Sequence, residues 1–244
     1  MNNDLNQDLL LTIKESYEKY LETSPQSNEK LKILHGFIAE CLEKELNKYG
    51  VENTKYSIKS LGYKEGREGE IEGRYYNKKV DIIIYKNSLP IAGIAVKFVT
   101  SNYSQNSNNY FENMLGETAN IRSNGIPYFQ IFLIQECVPY FNENKEIEKY
   151  EKITENKLYK YIELSNDSSS KGFHIPNKTF IGIFTINNFL PPPKISRETY
   201  IKYFYNNNFS FSFLKDDLNF GPSVIYNDFT SFIEEVCNSI INEL

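Results

Sequence analysis

The 244-residue chain contains no tryptophan, two histidines, two methionines and three cysteines, and each shortage excludes something. His35 and His174 are too few for a histidine-based metal finger or a paired-histidine hydrolase site. Cys41, Cys137 and Cys237 are odd in number, widely spaced and without a CxxC, so neither a disulfide framework nor a cysteine zinc site is expected. No run of about eighteen apolar residues occurs, and the start MNNDLNQD carries no basic, apolar signal. The expected location is the reducing cytoplasm, away from any membrane. A GxxxxGK[ST] loop, a GxSxG elbow and an HExxH pair are all absent, which argues against ATP-driven translocation, serine hydrolysis and zinc proteolysis. Cationic excess is lacking too. A formal net charge of -5 speaks against a nonspecific nucleic-acid coat, while leaving room for a local basic cleft lined with carboxylates.

What is present is ordinary for a globular chain: 40% hydrophobic and 24% charged residues, with length enough to bury a sizeable core. Periodicity organises it. Helices are expected over 4–23 and 28–48; in the second, Leu31, Leu34, Ile38, Cys41, Leu42 and Leu46 recur at helical spacing behind a Ser27 N-cap. A hairpin follows, with strands Glu70 to Tyr76 and Val80 to Tyr85 joined around Asn77, Lys78 and Lys79, then a central strand from Ile91 to Val99. The helix after Ser104 sets Phe111, Met114, Leu115, Thr118 and Ile121 on one face and Asn109, Asn113, Gly116 and Asn120 on the other. Next come a strand from Tyr128 to Ile134, a helix and exposed loop in 140–172, and a last strand from Thr179 to Ile186. Pro191, Pro192 and Pro193 separate residues 1–190 from a C-terminal extension, 191–244, that packs on the same domain and ends in a helix from Asp228 to Leu244. This is an α/β pattern with a mixed sheet.

Two charges stand out inside apolar strands. Alternation sets Asp81 opposite Val80, Ile82 and Ile84, and sets Ala95 and Lys97 on one face of the next strand. A carboxylate and an ammonium in such strands are costly unless they meet each other, a metal or a substrate. Asp81, followed by Ala95-Val96-Lys97, resembles the motif of the PD-(D/E)XK nuclease superfamily, best known from type II restriction endonucleases. That motif is an Asp at a strand start, then an acidic residue, any residue and Lys. The resemblance covers roughly residues 68 to 135, and Val80 stands where the family has Pro. It implies a restriction-endonuclease-like core, a central mixed β-sheet flanked by helices, acting with Mg²⁺ on double-stranded DNA as a homodimer. Asp81 would anchor the cation, and Lys97 would orient the attacking water and stabilise charge developing at phosphorus.

Ala95 stands where the second acid belongs. Three accounts are open: a Glu replaced by Ala to hold an uncut complex, an acid moved to the following helix as Glu112 or Glu117, or loss of catalysis. The resemblance also implies a carboxylate on the first core helix, for which Glu43 is chosen over Glu40. Glu68, Glu70 and Glu72 read as a solvated strand face. Asn102, Tyr103, Gln105, Asn106, Asn109 and Asn113 follow the catalytic strand, and their amides suit adenine edges in a major groove while Tyr103 suits phosphate. The expected activity is site-specific DNA hydrolysis. The alternatives are an inactive DNA-binding or regulatory domain, and a nonspecific defence or toxin nuclease of the same superfamily.

Overall fold

The fold is taken from a computed structural model that describes residues 4–23, 27–50, 56–64, 66–189, 191–192 and 194–241. Two helices come first, α1 (Leu5–Glu22) and α2 (Glu29–Lys48). The apolar stripe of α2 is buried from Leu34 to Leu46, and His35 is buried with it. Ser27 accepts the N–H of Glu29, but the N-cap position belongs to Asn28. After β1 (Ser57–Ser60) a loop crosses α2 with its backbone in contact. A Cβ on Gly36 would stand 2.5 Å from the Gly62 carbonyl oxygen, and Gly62 sits at φ +76°. Side chains at this pair would lift the loop away from the helix. The contact steers the chain past His35 towards Glu68.

A small hairpin follows, β2 (Gly69–Glu72) and β3 (Asn77–Val80), paired as a two-stranded sheet of its own. Its turn is Gly73 to Tyr76, earlier than the sequence pattern puts it, and the reason is tertiary. Asn120, from α3 (Tyr103–Arg122), accepts the Tyr75 N–H and donates to the Tyr76 carbonyl, both at 2.9 Å. One amide thereby satisfies both sides of a turn. Asn120 is 1% exposed, so it does not belong to the polar face assigned to it from helical spacing.

At Asp81 the chain bends out of the hairpin into the main sheet as β4 (Ile82–Lys86) and returns as β5 (Leu89–Val99). The bend corrects the expected alternation. Val80 packs with Ile71, Ile83 and Tyr85 rather than with Ile82 and Ile84. The main sheet has seven strands in the order β1-β4-β5-β6-β9-β10, with β11 also on β9. Here β6 is Tyr128–Gln135, β9 is Lys178–Ile186, β10 is Phe211–Phe213 and β11 is Val224–Tyr226. β5, β6 and β9 run parallel while β1, β4 and β10 run antiparallel to their neighbours, so the sheet is mixed. β6 is buried along its whole length, as a central parallel strand covered on both faces must be.

Helices α1, α2 and α6 (Phe229–Ile240) cover one face through Ile82, Ile94, Val96 and Phe98. On the other lie α3 and α4 (Glu155–Ser165), over Val99, Phe132 and Ile134, with the small hairpin beside them. Two expectations are corrected. A hairpin, β7 (Cys137–Phe141) with β8 (Ile147–Lys152), precedes α4 and runs into the stretch 140–172 read as helix and loop. β9 is not the last strand, because residues after 191 supply α5 (Arg197–Tyr205), β10 and β11, the last two pairing with β9. The expected helix end at Leu244 lies outside the described residues. Among them, no helix is long and apolar enough to cross a membrane.

Candidate functional site

The site begins at the bend. Where the chain leaves the β4–β5 ladder, the Asp81 carboxylate takes the place of a strand carbonyl and accepts the Val96 N–H at 2.7 Å. This hydrogen bond fixes the carboxyl without a cationic partner in contact among the described residues. Burial pushes the Asp81 pKa up to about 6; the Val96 N–H opposes the rise, Glu117 adds to it, and Lys78 and Lys97 pull the other way.

Asp81, Ala95, Lys97, Asn113 and Glu117 line one cavity of about 280 Å³, floored by β5 and β6 and walled by α3. Lys97 is exposed, with its ammonium 4.3 Å from the centre of the Tyr110 ring. Partial burial of the side chain lowers its pKa, while Asp81 and Glu117 pull it back. Glu117 is half-buried and pairs with Lys78 at 2.5 Å across the cavity mouth. Behind it the Tyr128 hydroxyl is buried. Three lysines (Lys78, Lys79 and Lys97) face two carboxylates in this lining. The cavity is therefore cationic within a chain whose formal charge is -5.

Other residues singled out from the sequence lie elsewhere. Glu112 is exposed and outside the cavity lining, so of the two helix acids it is Glu117 that reaches Asp81. Glu43 is about 12 Å farther along α2 than His35, at 1.5 Å per residue, and pairs with Lys64. The Asn102 amide is used twice on β7, accepting the Phe141 N–H at 3.0 Å and donating to its carbonyl at 2.9 Å. Tyr103 is buried and donates its hydroxyl to the Lys157 carbonyl, which makes it a packing residue rather than a groove contact. Gln105 and Asn106 bond back to Asn102, at the start of α3. Asn109 is exposed, and Asn113 alone of this set enters the cavity.

Two residues beside Asp81 were not expected at all. His35 and Glu68 bring one ligand atom each to within 4.8 Å of each other and of an Asp81 oxygen. Glu68 is exposed, whereas His35 is 0% exposed and neither of its ring nitrogens has a hydrogen-bond partner among the described residues. Burial lowers the His35 pKa to about 4, against the pull of Glu68, and so keeps the imidazole neutral. A signal for His35 was available: it interrupts the apolar stripe of α2 between Leu34 and Ile38. Glu68 had none, since it lies in a loop outside any strand or helix.

No family model matches the chain, and no curated protein or solved structure matches it. The fold itself defines an α/β protein with a mixed central sheet flanked by helices.

Proposed function

We propose that this chain is a metal-dependent endonuclease of the restriction type, hydrolysing phosphodiester bonds of double-stranded DNA as a homodimer. The observation that carries the reading is the convergence of Asp81, Lys97 and Glu117 on one cavity, with Ala95 at the place a second acid would occupy. Asp81 and Glu117 offer the oxygen donors that Mg²⁺ takes. A divalent cation, when bound, polarises phosphate and lowers the pKa of water. Lys97 stands on the same strand face as Ala95, where its ammonium can orient a water and oppose charge building on phosphate. Lys78 and Lys79 at the mouth suit the flanking phosphates, and Asn113, the exposed amide of the cavity lining, suits a base edge.

Ala95 on its own favours a second reading, a DNA-binding domain without catalysis. Incubation of the chain with mixed plasmid DNA and Mg²⁺ separates the two. Discrete fragments, lost in Asp81→Asn, are the expected result. A smear moves the reading to a nonspecific nuclease, and intact DNA that is nevertheless retarded in a gel leaves the binding domain.

A further inference from the structure

We propose that His35, Glu68 and Asp81 form a binding site for a first-row transition-metal dication, one that takes Mn²⁺ in preference to Mg²⁺. The first ground is the histidine. A fully buried imidazole with both nitrogens unpartnered forfeits its hydrogen bonds to water, and such groups are rare enough to need a cause. Packing supplies none, because a leucine would continue the apolar stripe of α2 at that point. A cation between His35, Glu68 and Asp81 does.

The second ground is distance. Donor atoms bound to one such ion at about 2.0–2.2 Å lie at most about 4.4 Å apart. The three ligand atoms already lie within 4.8 Å of one another. Glu68 is exposed, so its side chain can adjust towards His35 and Asp81. Asp81 and His35 are meanwhile held by the Val96 N–H and the α2 core.

The third ground is donor type. Mg²⁺ takes oxygen ligands in near-octahedral geometry and gives up its waters reluctantly. One imidazole nitrogen with two carboxylates suits the transition series, where nitrogen donors raise affinity. The site meets the cavity only at Asp81, and His35 and Glu68 lie outside the cavity lining. It therefore stands whether or not the cavity cleaves DNA.

The test is thermal unfolding of the chelator-treated full chain, titrated separately with Mn²⁺ and Mg²⁺, for the parent, Glu68→Gln and His35→Leu. Expected are a Mn²⁺-dependent rise in Tm for the parent, with Mn²⁺ binding at least roughly tenfold tighter than Mg²⁺. Glu68→Gln and His35→Leu should each weaken Mn²⁺ binding by at least roughly tenfold. Glu68 is exposed, so its variant should fold even if the core substitution does not. A parent Tm indifferent to Mn²⁺, equal affinity for the two ions, or parental Mn²⁺ affinity in the folded variants would overturn the site. Mg²⁺-dependent cutting with Mn²⁺ binding unchanged in both variants would sink this site and leave the nuclease reading intact. Mn²⁺ binding lost in both variants of a chain that cuts nothing would do the reverse.

Discussion

Asp81→Asn and His35→Leu should tilt the pH dependence of stability in opposite directions, because burial displaces the two side chains oppositely. The Asp81 carboxyl is raised from 3.8 to about 6 and the His35 imidazole lowered from 6.5 to about 4. At about 1.4 kcal/mol per tenfold change in proton affinity, each displacement is worth about 3 kcal/mol. For Asp81 the folded pKa lies above the unfolded one. Its contribution is full below about pH 4 and is lost as pH rises through about 6. For His35 the folded pKa lies below the unfolded one. Its contribution is full above about pH 6.5 and is lost as pH falls through about 4. Between pH 4 and 7 the two nearly cancel in the parent chain.

Each variant unmasks the other group. Asparagine keeps an oxygen for the Val96 N–H while removing the charge, so Asp81→Asn should gain on the parent as pH rises, reaching about 3 kcal/mol at pH 7. His35→Leu should gain on the parent by a similar amount as pH falls from 7 to 4. Urea unfolding with chelator present, at pH 4, 5.5 and 7, reads both as differences from the parent, so that carboxylates elsewhere drop out. Glu68 faces His35, while Glu117, Lys78 and Lys97 act on Asp81, and all of them stay unchanged in both variants. Profiles of Asp81→Asn and parent running parallel within about 0.5 kcal/mol would refute a raised Asp81. A double variant departing from the sum of the singles would show instead that the imidazolium and the carboxylate pair with each other.

Lys97→Ala should lower the rate of cleavage of bound DNA by far more than it lowers affinity, because the proposed reaction puts the ammonium beside the reacting phosphate while two other lysines still face the cavity; single-turnover cutting against gel-shift affinity checks this, and loss of affinity alone would make Lys97 a phosphate grip. Ala95→Glu should raise Mg²⁺-dependent cutting by placing a second carboxylate between Asp81 and Lys97. If Glu117 already serves as that acid, the parent chain cuts, Glu117→Gln stops it and Glu at 95 adds little; an inert Ala95→Glu chain that still binds DNA, with Glu117→Gln also silent, would leave a binding domain.

Elements set by local pattern were legible in the sequence, and those set by a distant partner were not. The stripe of α2, the apolar run of β6 and the strand carrying Lys97 are properties of a few neighbouring residues, and periodicity reads them. The turn of the small hairpin is a property of Asn120, 44 residues away, which supplies the hydrogen bonds that Tyr75 and Tyr76 lack. Alternation through Asp81 presumes a continuous strand, but the carboxylate itself ends the ladder by taking the Val96 N–H, and Val80 turns to the opposite face. The same bend explains why half of the site was visible. Ala95 and Lys97 lie on a regular strand, so their shared face follows from spacing. His35 lies beside a point where two glycines let α2 and a loop approach backbone to backbone, and Glu68 follows that loop in sequence; no period in the sequence encodes such a crossing. The charge that looked costly in an apolar strand remains costly in the fold, with its pKa raised and no cation in contact. Asparagine at 81 would keep the Val96 contact without that cost, and the proposed cation-binding role accounts for an acid at this position.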